Sequence, residues 1–344
     1  MSTEKQFRVS IVVPTLNSAR TIEACLAAIR SQSFPQNRLE LIIADAGSTD
    51  DTLNIARRFN VSKVVNNPLK TGEAGKTAGI KAATGDIIAL IDSDNIMEDS
   101  DWLRKMTEPF ADPEILGTEP LQFTWRKNDP ALTRYFAMLG MNDPLCLFLG
   151  NYDRLSLVTG KWTGLEIDHQ NHPSYIKIVL TPNNIPTIGA NGFVFRRSLL
   201  NSVTWDPYFF DIDIIAEAVM HGQNCFAKVK CGIAHLYCSK LSDFIRKQDR
   251  RIKDFLFFSN EKQRRYPWHN QSQFGVLMFC ICTVTVIPLL LQMIRGARRK
   301  ADMAWWFHVP ACWITLWIYG VAVVKKLLGF RIAAKPRDNW QPKL

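Results

Sequence analysis

The 344 residues include 47% hydrophobic and 22% charged side chains, enough for one large or two smaller folded domains and too apolar for wholesale disorder. The net charge of +10 is uneven: from residue 240 onward 19 Lys/Arg face 6 Asp/Glu, a balance of +13, which leaves −3 for residues 1–239. Basic residues that bracket apolar stretches suit an anionic membrane surface better than nucleic acid.

"RVSIVV" (8–13) is a β-branched strand closed by Pro14. "SARTIEACLAAIRSQ" (18–32) has Ile22, Cys25, Leu26 and Ile29 at helical spacing. A second strand, "LELIIAD" (39–45), precedes the helix opened by "STDDTLNIARRF" (48–59). "KVVN" (63–66), "EAGKTAGIKAA" (73–83) and "DIIALI" (86–91) supply a short strand, a helix and a fourth strand. Continuous apolar strands alternating with helices predict a mostly parallel sheet covered by helices, with ligands bound beyond the carboxyl ends of its strands. Asn17, Asp45, Asp92 and Asp94 all follow strand ends of this kind. "MSTEKQFRVS" (1–10) lacks the apolar run of a secretory signal, so this domain is expected in the cytoplasm.

Residues 111–240 are irregular and rich in Pro, Asn and aromatic residues. "PTIGANGFVFRRSLL" (186–200) reads as a Gly-rich turn, a strand and a helix start, and "WDPYFFDIDIIAEAVMHG" (205–222) as a loop leading into a helix. Cys225, Cys231, His235 and Cys238 are potential zinc ligands, but their spacing matches no common finger, and reduced thiols buried in a strand pair are the better reading. Residues 241–265 form an amphipathic, cation-rich helix suited to a membrane surface.

Two stretches, 274–291 and 303–324, contain no Asp, Glu, Lys or Arg and reach the roughly 17–25 residues needed to cross a bilayer. They predict a two-segment transmembrane hairpin flanked by "KQRR" (262–265) and "KK" (325–326); a pair of buried core helices is the bland alternative. The connecting "RGARRKAD" (295–302) is basic, which opposes the positive-inside tendency if the loop lies outside. Re-entrant segments kinked at Pro288 and Pro310 are the other arrangement.

"IDSDN" (91–95) places two acids at the end of a buried strand. D-x-D spacing on a turn can share one hard cation, Mg2+ or Mn2+, which completes its shell with water and phosphate oxygens. A dinucleotide-binding G-x-G-x-x-G is absent after the first strand, and "KTGEAGKT" (70–77) has Lys70 where a P-loop needs Gly.

"VSIVVPTLNSARTIEACLAAIRSQ", "LIIADAGSTDDTLNIA", "GKTAGIKAATGDIIALIDSDN" and "IGANGFVFRRSLL", in this order, resemble the inverting glycosyltransferases of family 2, which have the GT-A fold. The likeness is dense over residues 8–110 and looser over 186–255. It implies that Pro14, Thr15, Asn17 and Asp45 hold the base and ribose of a nucleotide-sugar donor, with Lys76 approaching the nucleotide. Asp92 would face ribose and sugar, and Asp94 the metal, with Asp92 beside it. The catalytic base would be Asp211, with Asp213 as substitute. "QDRRI" (248–252) resembles the Q-x-x-R-W motif of processive members without its Trp, which implies a single transfer. His235 and Arg251 are placed near the diphosphate, a core histidine and a lipid-facing arginine being equally good readings.

The resulting organisation is a nucleotide-sugar-binding half (1–110), an acceptor-binding half (111–240), an amphipathic juxtamembrane segment (241–272), two transmembrane helices (273–325) and a cytoplasmic tail (326–344). The expected activity is a metal-dependent, inverting transfer of one sugar to a lipid-linked or membrane-associated acceptor, at the cytoplasmic face of the cell membrane, with no nucleic-acid partner. A polyprenyl-phosphate sugar synthase, or a catalytically silent nucleotide-sugar-binding scaffold, are the alternatives.

Overall fold

The computed structural model describes residues 7–260, 264–267 and 272–330. Residues 331–344 of the expected tail, and Lys262 and Gln263 of the basic flank, lie outside them. In chain order the elements are β1 (Val9–Thr15), α1 (Ile22–Arg30), β2 (Leu39–Asp45), α2 (Thr52–Arg57), β3 (Lys63–Asn66), α3 (Gly72–Ala82), β4 (Ile87–Leu90), β5 (Asn95–Ile96), α4 (Trp102–Thr107) and β6 (Gly117–Thr124). They continue as α5 (Ala131–Leu139), α6 (Leu145–Leu149), β7 (Asp168–Asn171), β8 (Tyr175–Val179), β9 (Phe193–Arg196), α7 (Asp211–Met220), β10 (Cys225–His235), α8 (Leu241–Asn260), α9 (Gln273–Thr285), α10 (Ile287–Arg299) and α11 (His308–Leu327).

The chain forms two units. Of the described residues, one unit holds those up to Leu121 together with Ile167–His235; the other holds Gln122–Glu166 and those from Leu236 to Phe330. The expected acceptor half, 111–240, is thus divided between them.

The first unit is built on a ten-stranded sheet in the order β3-β2-β1-β4-β9-β6-β10-β8-β7, with β5 added against β10. β3, β2, β1 and β4 are parallel, as their apolar runs predict. β2 and β4 are buried along their whole length, and β1 everywhere but Pro14. Each fully buried Val, Ile or Leu there is worth roughly 1.5–3 kcal/mol. The pairs β4–β9, β9–β6, β10–β8 and β8–β7 are antiparallel. The edges are polar: all of β7 and most of β3 are exposed, which discourages edge-to-edge association.

The near-miss P-loop folds as the start of α3. Thr71 caps it, its hydroxyl accepting from the Ala74 N–H. The glycines serve packing: a Cβ on Gly79 would stand 2.2 Å from Val12 Cγ1, and one on Gly75 2.9 Å from Pro14 Cβ. α3 can therefore lie directly on β1, which brings Lys76 to the sheet's carboxyl rim.

The second unit is helical. Tyr135, Phe136 and Leu139 of α5 pack with Tyr152, Tyr237, Phe244 and Trp305 in its core. α11 forms one helix over the second apolar stretch, long and apolar enough to cross a membrane. The first stretch departs from a single spanning helix: α9 and α10 meet at Val286 with a 94° bend. Pro288, the second residue of α10, cannot donate to residue 284 and its ring crowds that carbonyl, so the α9 helix stops. Val286 takes a φ of +63° at the corner.

Candidate active site

Because β1, β2 and β4 run parallel, the turns that follow them share one edge of the sheet. Thr15 pairs with Asp45 across β1 and β2. Thr15 Oγ1 donates to Asp45 Oδ1 (3.0 Å), and the N–H groups of Gly47 and Ser48 donate to Oδ2 (2.9 Å each). Burial opposes the Asp45 charge, but hydrogen bonds from Ser48, Thr15 and Gly47 outweigh it and hold the carboxyl below its usual range. Asn17, exposed with a φ of +50°, accepts from the Thr49 N–H (2.9 Å) through its side-chain oxygen and so ties the two turns together. Pro14 lies half-buried at the close approach of Gly75.

The centre of the rim is an acid–base–acid group. Lys76 Nζ donates to both oxygens of Asp211 (2.8 and 2.6 Å) and stands 3.7 Å from Asp92 Oδ1. Lys76 and Asp211 are 135 residues apart in sequence, and three contacts along one face of α3 bring them together. The Glu73 carbonyl accepts from the Phe209 N–H (3.1 Å), Thr77 Oγ1 donates to the Trp205 carbonyl (3.0 Å), and Lys81 pairs with Asp206 (2.7 Å). Residues 73, 77 and 81 are one helical turn apart, so they line up along the incoming loop. Burial pushes the Asp211 carboxyl up to about 7; Lys76 pulls against that, and the Asp92 charge adds to it. Burial disfavours the Lys76 charge, but Asp211 and Asp92 overcome this and keep it protonated.

Asp211 opens α7, and the loop before it is built for close approach. Gly189 has a φ of +124°, and a Cβ there would stand 2.8 Å from the Asp211 carbonyl oxygen. The Gly189 N–H donates to Glu119 Oε1 (2.9 Å), whose other oxygen accepts from Lys228 Nζ (2.6 Å). Both Glu119 and Lys228 are fully buried. Asp213, two residues beyond Asp211, is buried with only 4% exposure.

A third group sits where β5 pairs with β10, His235 opposite Asn95. This pairing places His235 Nε2 3.6 Å from Asp94 Oδ2. The Asn95 amide donates to the side-chain oxygens of Asn191 (3.3 Å) and Asp94 (3.5 Å). Asp94 and His235 are an oxygen and a nitrogen donor on one spot of the rim; the carboxylate suits a hydrated Mg2+ or Mn2+ that takes further ligands from phosphate, and the imidazole favours Mn2+ of the two. Among the described residues no group of three or more possible ligands gathers, so the Cys225–Cys238 segment forms no zinc cluster; its cysteines are free thiols.

The predicted residues Asn17, Asp45, Lys76, Asp92, Asp94 and Asp211 thus line one rim, and His235 joins them. Arg251 belongs to the second unit: its Nη1 donates to the Asn142 carbonyl (3.0 Å) and Gln248 Oε1 (2.7 Å). Sequence reading missed Asn191, Glu119 and Lys228. The "GAN" turn was visible, but nothing in it announced the Asn95 partner.

The chain matches the family described as "Glycosyl transferase family 2" over residues 10–203, more than half its length. It is similar to the glycosyltransferase AglE of Haloferax volcanii, 29% identical over 140 residues, which cover 39% of this chain and 45% of that protein. It is also similar to the UDP-Glc:alpha-D-GlcNAc-diphosphoundecaprenol beta-1,3-glucosyltransferase WfaP of Escherichia coli, 34% identical over 90 residues, 25% of this chain and 35% of that one. The chain spans less than half the length of these relatives. In fold it resembles a mannosyltransferase of Pyrobaculum calidifontis solved with GDP-Man and Mn2+, with a TM-score of 0.53, 16% identity, and coverage of 95% of this chain and 88% of that one. The sheet is of the GT-A type, and the chain belongs to glycosyl transferase family 2.

Proposed function

We propose that the chain moves a single sugar from a nucleotide-sugar donor to a hydroxyl of a lipid-linked or membrane-associated acceptor, with inversion at the anomeric carbon. The observation that carries this reading is Asp211, a carboxylate on the rim whose pKa of about 7 matches the task of taking a proton near neutral pH. Asp45, Thr15 and Asn17 hold the base and ribose end of the donor, and Asp92 meets the sugar. Asp211 removes the proton as the acceptor oxygen bonds to the anomeric carbon and the bond to the diphosphate breaks. Lys76, held protonated beside both acids, orients Asp211 and supplies positive charge toward the departing diphosphate. Asp94 and His235 would hold a divalent cation, which neutralises charge on that leaving group. Asp213, more deeply buried, is the substitute base.

A lipid-linked acceptor is supported by the apolar, basic second unit and by the Escherichia coli relative, whose name specifies a diphosphoundecaprenol-linked substrate. Transfer at the cytoplasmic face of the membrane is part of this proposal. The test is an assay of detergent-purified protein with a panel of nucleotide sugars, Mg2+ or Mn2+, and a membrane lipid extract. Transfer should occur, and Asp211→Asn should lower kcat by about 10²–10⁴-fold with donor binding retained. A variant as active as the parent would mean that the acceptor is a phosphate needing no base, as in a polyprenyl-phosphate sugar synthase. Donor binding without any transfer would indicate a silent nucleotide-sugar scaffold.

A further inference from the structure

Neither arm of the α9–α10 pair is long enough to span by itself. Each arm has 13 residues, about 20 Å at 1.5 Å per residue, against a hydrocarbon core of about 30 Å. Each nevertheless exposes an apolar stripe at i, i+4, i+7 spacing: Leu277, Ile281 and Val284 on α9; Ile287, Leu291 and Ile294 on α10. The corner residues Val284 and Ile287 are 61% and 67% exposed, far above what a folded core leaves at such positions.

Both ends of the pair are fastened to the same stretch of chain. At the start of α9, Gly275 lies so close to Phe148 that a Cβ would stand 2.6 Å from its carbonyl oxygen. At the end of α10, Arg299 Nη1 donates to the carbonyls of Leu157 (2.7 Å) and Val158 (2.8 Å). Asp302, just beyond, takes a two-pronged contact from Arg134 (2.9 and 3.0 Å). Residues 131–160 hold only the nine-residue α5 and five-residue α6, neither long enough to cross a bilayer. The chain entering α9 and the chain leaving α10 are therefore on one side.

α11 fits the same picture. It packs along α8, where Thr315 and Tyr319 meet Gln248 and Ala322 joins Ile252 and Leu256. α8 carries charged residues along its length, which keeps it out of hydrocarbon. The outer face of α11 shows Trp313, Trp317 and Val324, with tryptophan the preferred residue of the membrane interface.

We propose that the second unit docks on one leaflet: α9–α10 dips in and returns to the same side, and α11 lies in the interface. The occupant is a bilayer with anionic lipid, because Arg295, Arg298, Lys300 and Lys325 are exposed around the apolar stripes. The proposal rests on the reading of this unit as membrane-associated and is independent of sugar transfer. It removes the conflict with the positive-inside tendency, since the basic junction 295–302 never crosses.

The test uses the full chain in vesicles of phosphatidylcholine and phosphatidylglycerol, with Cys146 and Cys280 replaced by serine. Single reporters Asn128→Cys and Lys300→Cys are treated with an impermeant maleimide before and after permeabilisation. Both should react to the same extent on intact vesicles, and Val284→Arg with Ile287→Arg should weaken flotation at least tenfold with an unchanged melting transition in detergent. A Lys300→Cys that reacts only from the side opposite Asn128→Cys would sink the one-leaflet arrangement while leaving membrane association intact. Flotation of the double variant equal to the parent's would remove the role of the α9–α10 corner. A parent chain that does not float at all would remove membrane association itself.

Discussion

Asp211 is held between opposing influences, and their balance should be visible in the pH dependence of the reaction. Its carboxyl titrates near 7 because burial and Asp92 push it up while Lys76 pulls it down. As a base it works ionised, so kcat/KM should rise with pH through about 7 and then level off. Lys76→Met removes the downward pull, so the acidic limb should move to higher pH, apart from any loss in donor binding. A pH–rate profile checks this, and an unmoved limb would detach Asp211 from the rate. The same balance has a sign for folding. The native state holds this proton more tightly than an unfolded carboxyl titrating near 3.8, so the contribution to stability is fullest below that value and is lost as pH rises to about 7.

At the scale of elements, α3 and the strands beside it explain both what the sequence disclosed and what it hid. Gly79 and Gly72 sit in the same helix with opposite surroundings. Gly79→Ala drives a methyl into Val12 and should destabilise by about 1–3 kcal/mol. Gly72→Ala meets nothing within 4 Å and should stabilise by about 0.5–1 kcal/mol, as read by denaturant titration. Across the sheet, Lys228→Met would strand Glu119 as a buried charge at a cost of about 3–5 kcal/mol, and adding Glu119→Leu should recover much of it. The parallel half was legible because β1, β2 and β4 are mostly apolar runs between helix signals. β7, "DHQN", is wholly exposed and β6, "GTEPLQFT", mixes polar and apolar residues, so neither shows a strand period. The acids after β2 and β4 could be read from their place at strand ends. The bond from Lys76 to Asp211 could not, because it depends on the 205–209 loop lying along one face of α3, a long-range contact without a local pattern. The first apolar stretch was legible as long and uncharged, but its corner at Val286 was fixed by one proline among residues that otherwise favour a continuous helix.

For the molecule as a whole, the proposed membrane docking has a charged and an apolar part, which a binding experiment can resolve. The excess of +13 beyond residue 239 gives attraction that depends on anionic lipid and salt, whereas the apolar stripes of α9, α10 and α11 do not depend on charge. Each basic residue near an anionic surface is worth about 1 kcal/mol, so Arg295→Gln, Arg298→Gln and Lys300→Gln together should weaken vesicle binding by about a hundredfold. Arg299 is left out of that set, since its guanidinium is engaged with the carbonyls of Leu157 and Val158 and its loss should lower stability instead. Screening shortens from about 10 Å at 0.1 M salt to about 3 Å at 1 M, so high salt should bring the parent chain down to the level of the triple variant and leave both with the same residual apolar binding. Vesicle co-sedimentation over a salt series, with and without phosphatidylglycerol, measures the two parts separately. Parent binding that ignores both salt and anionic lipid would mean that the basic residues do not face the membrane, and the orientation of the second unit on the leaflet would have to be redrawn.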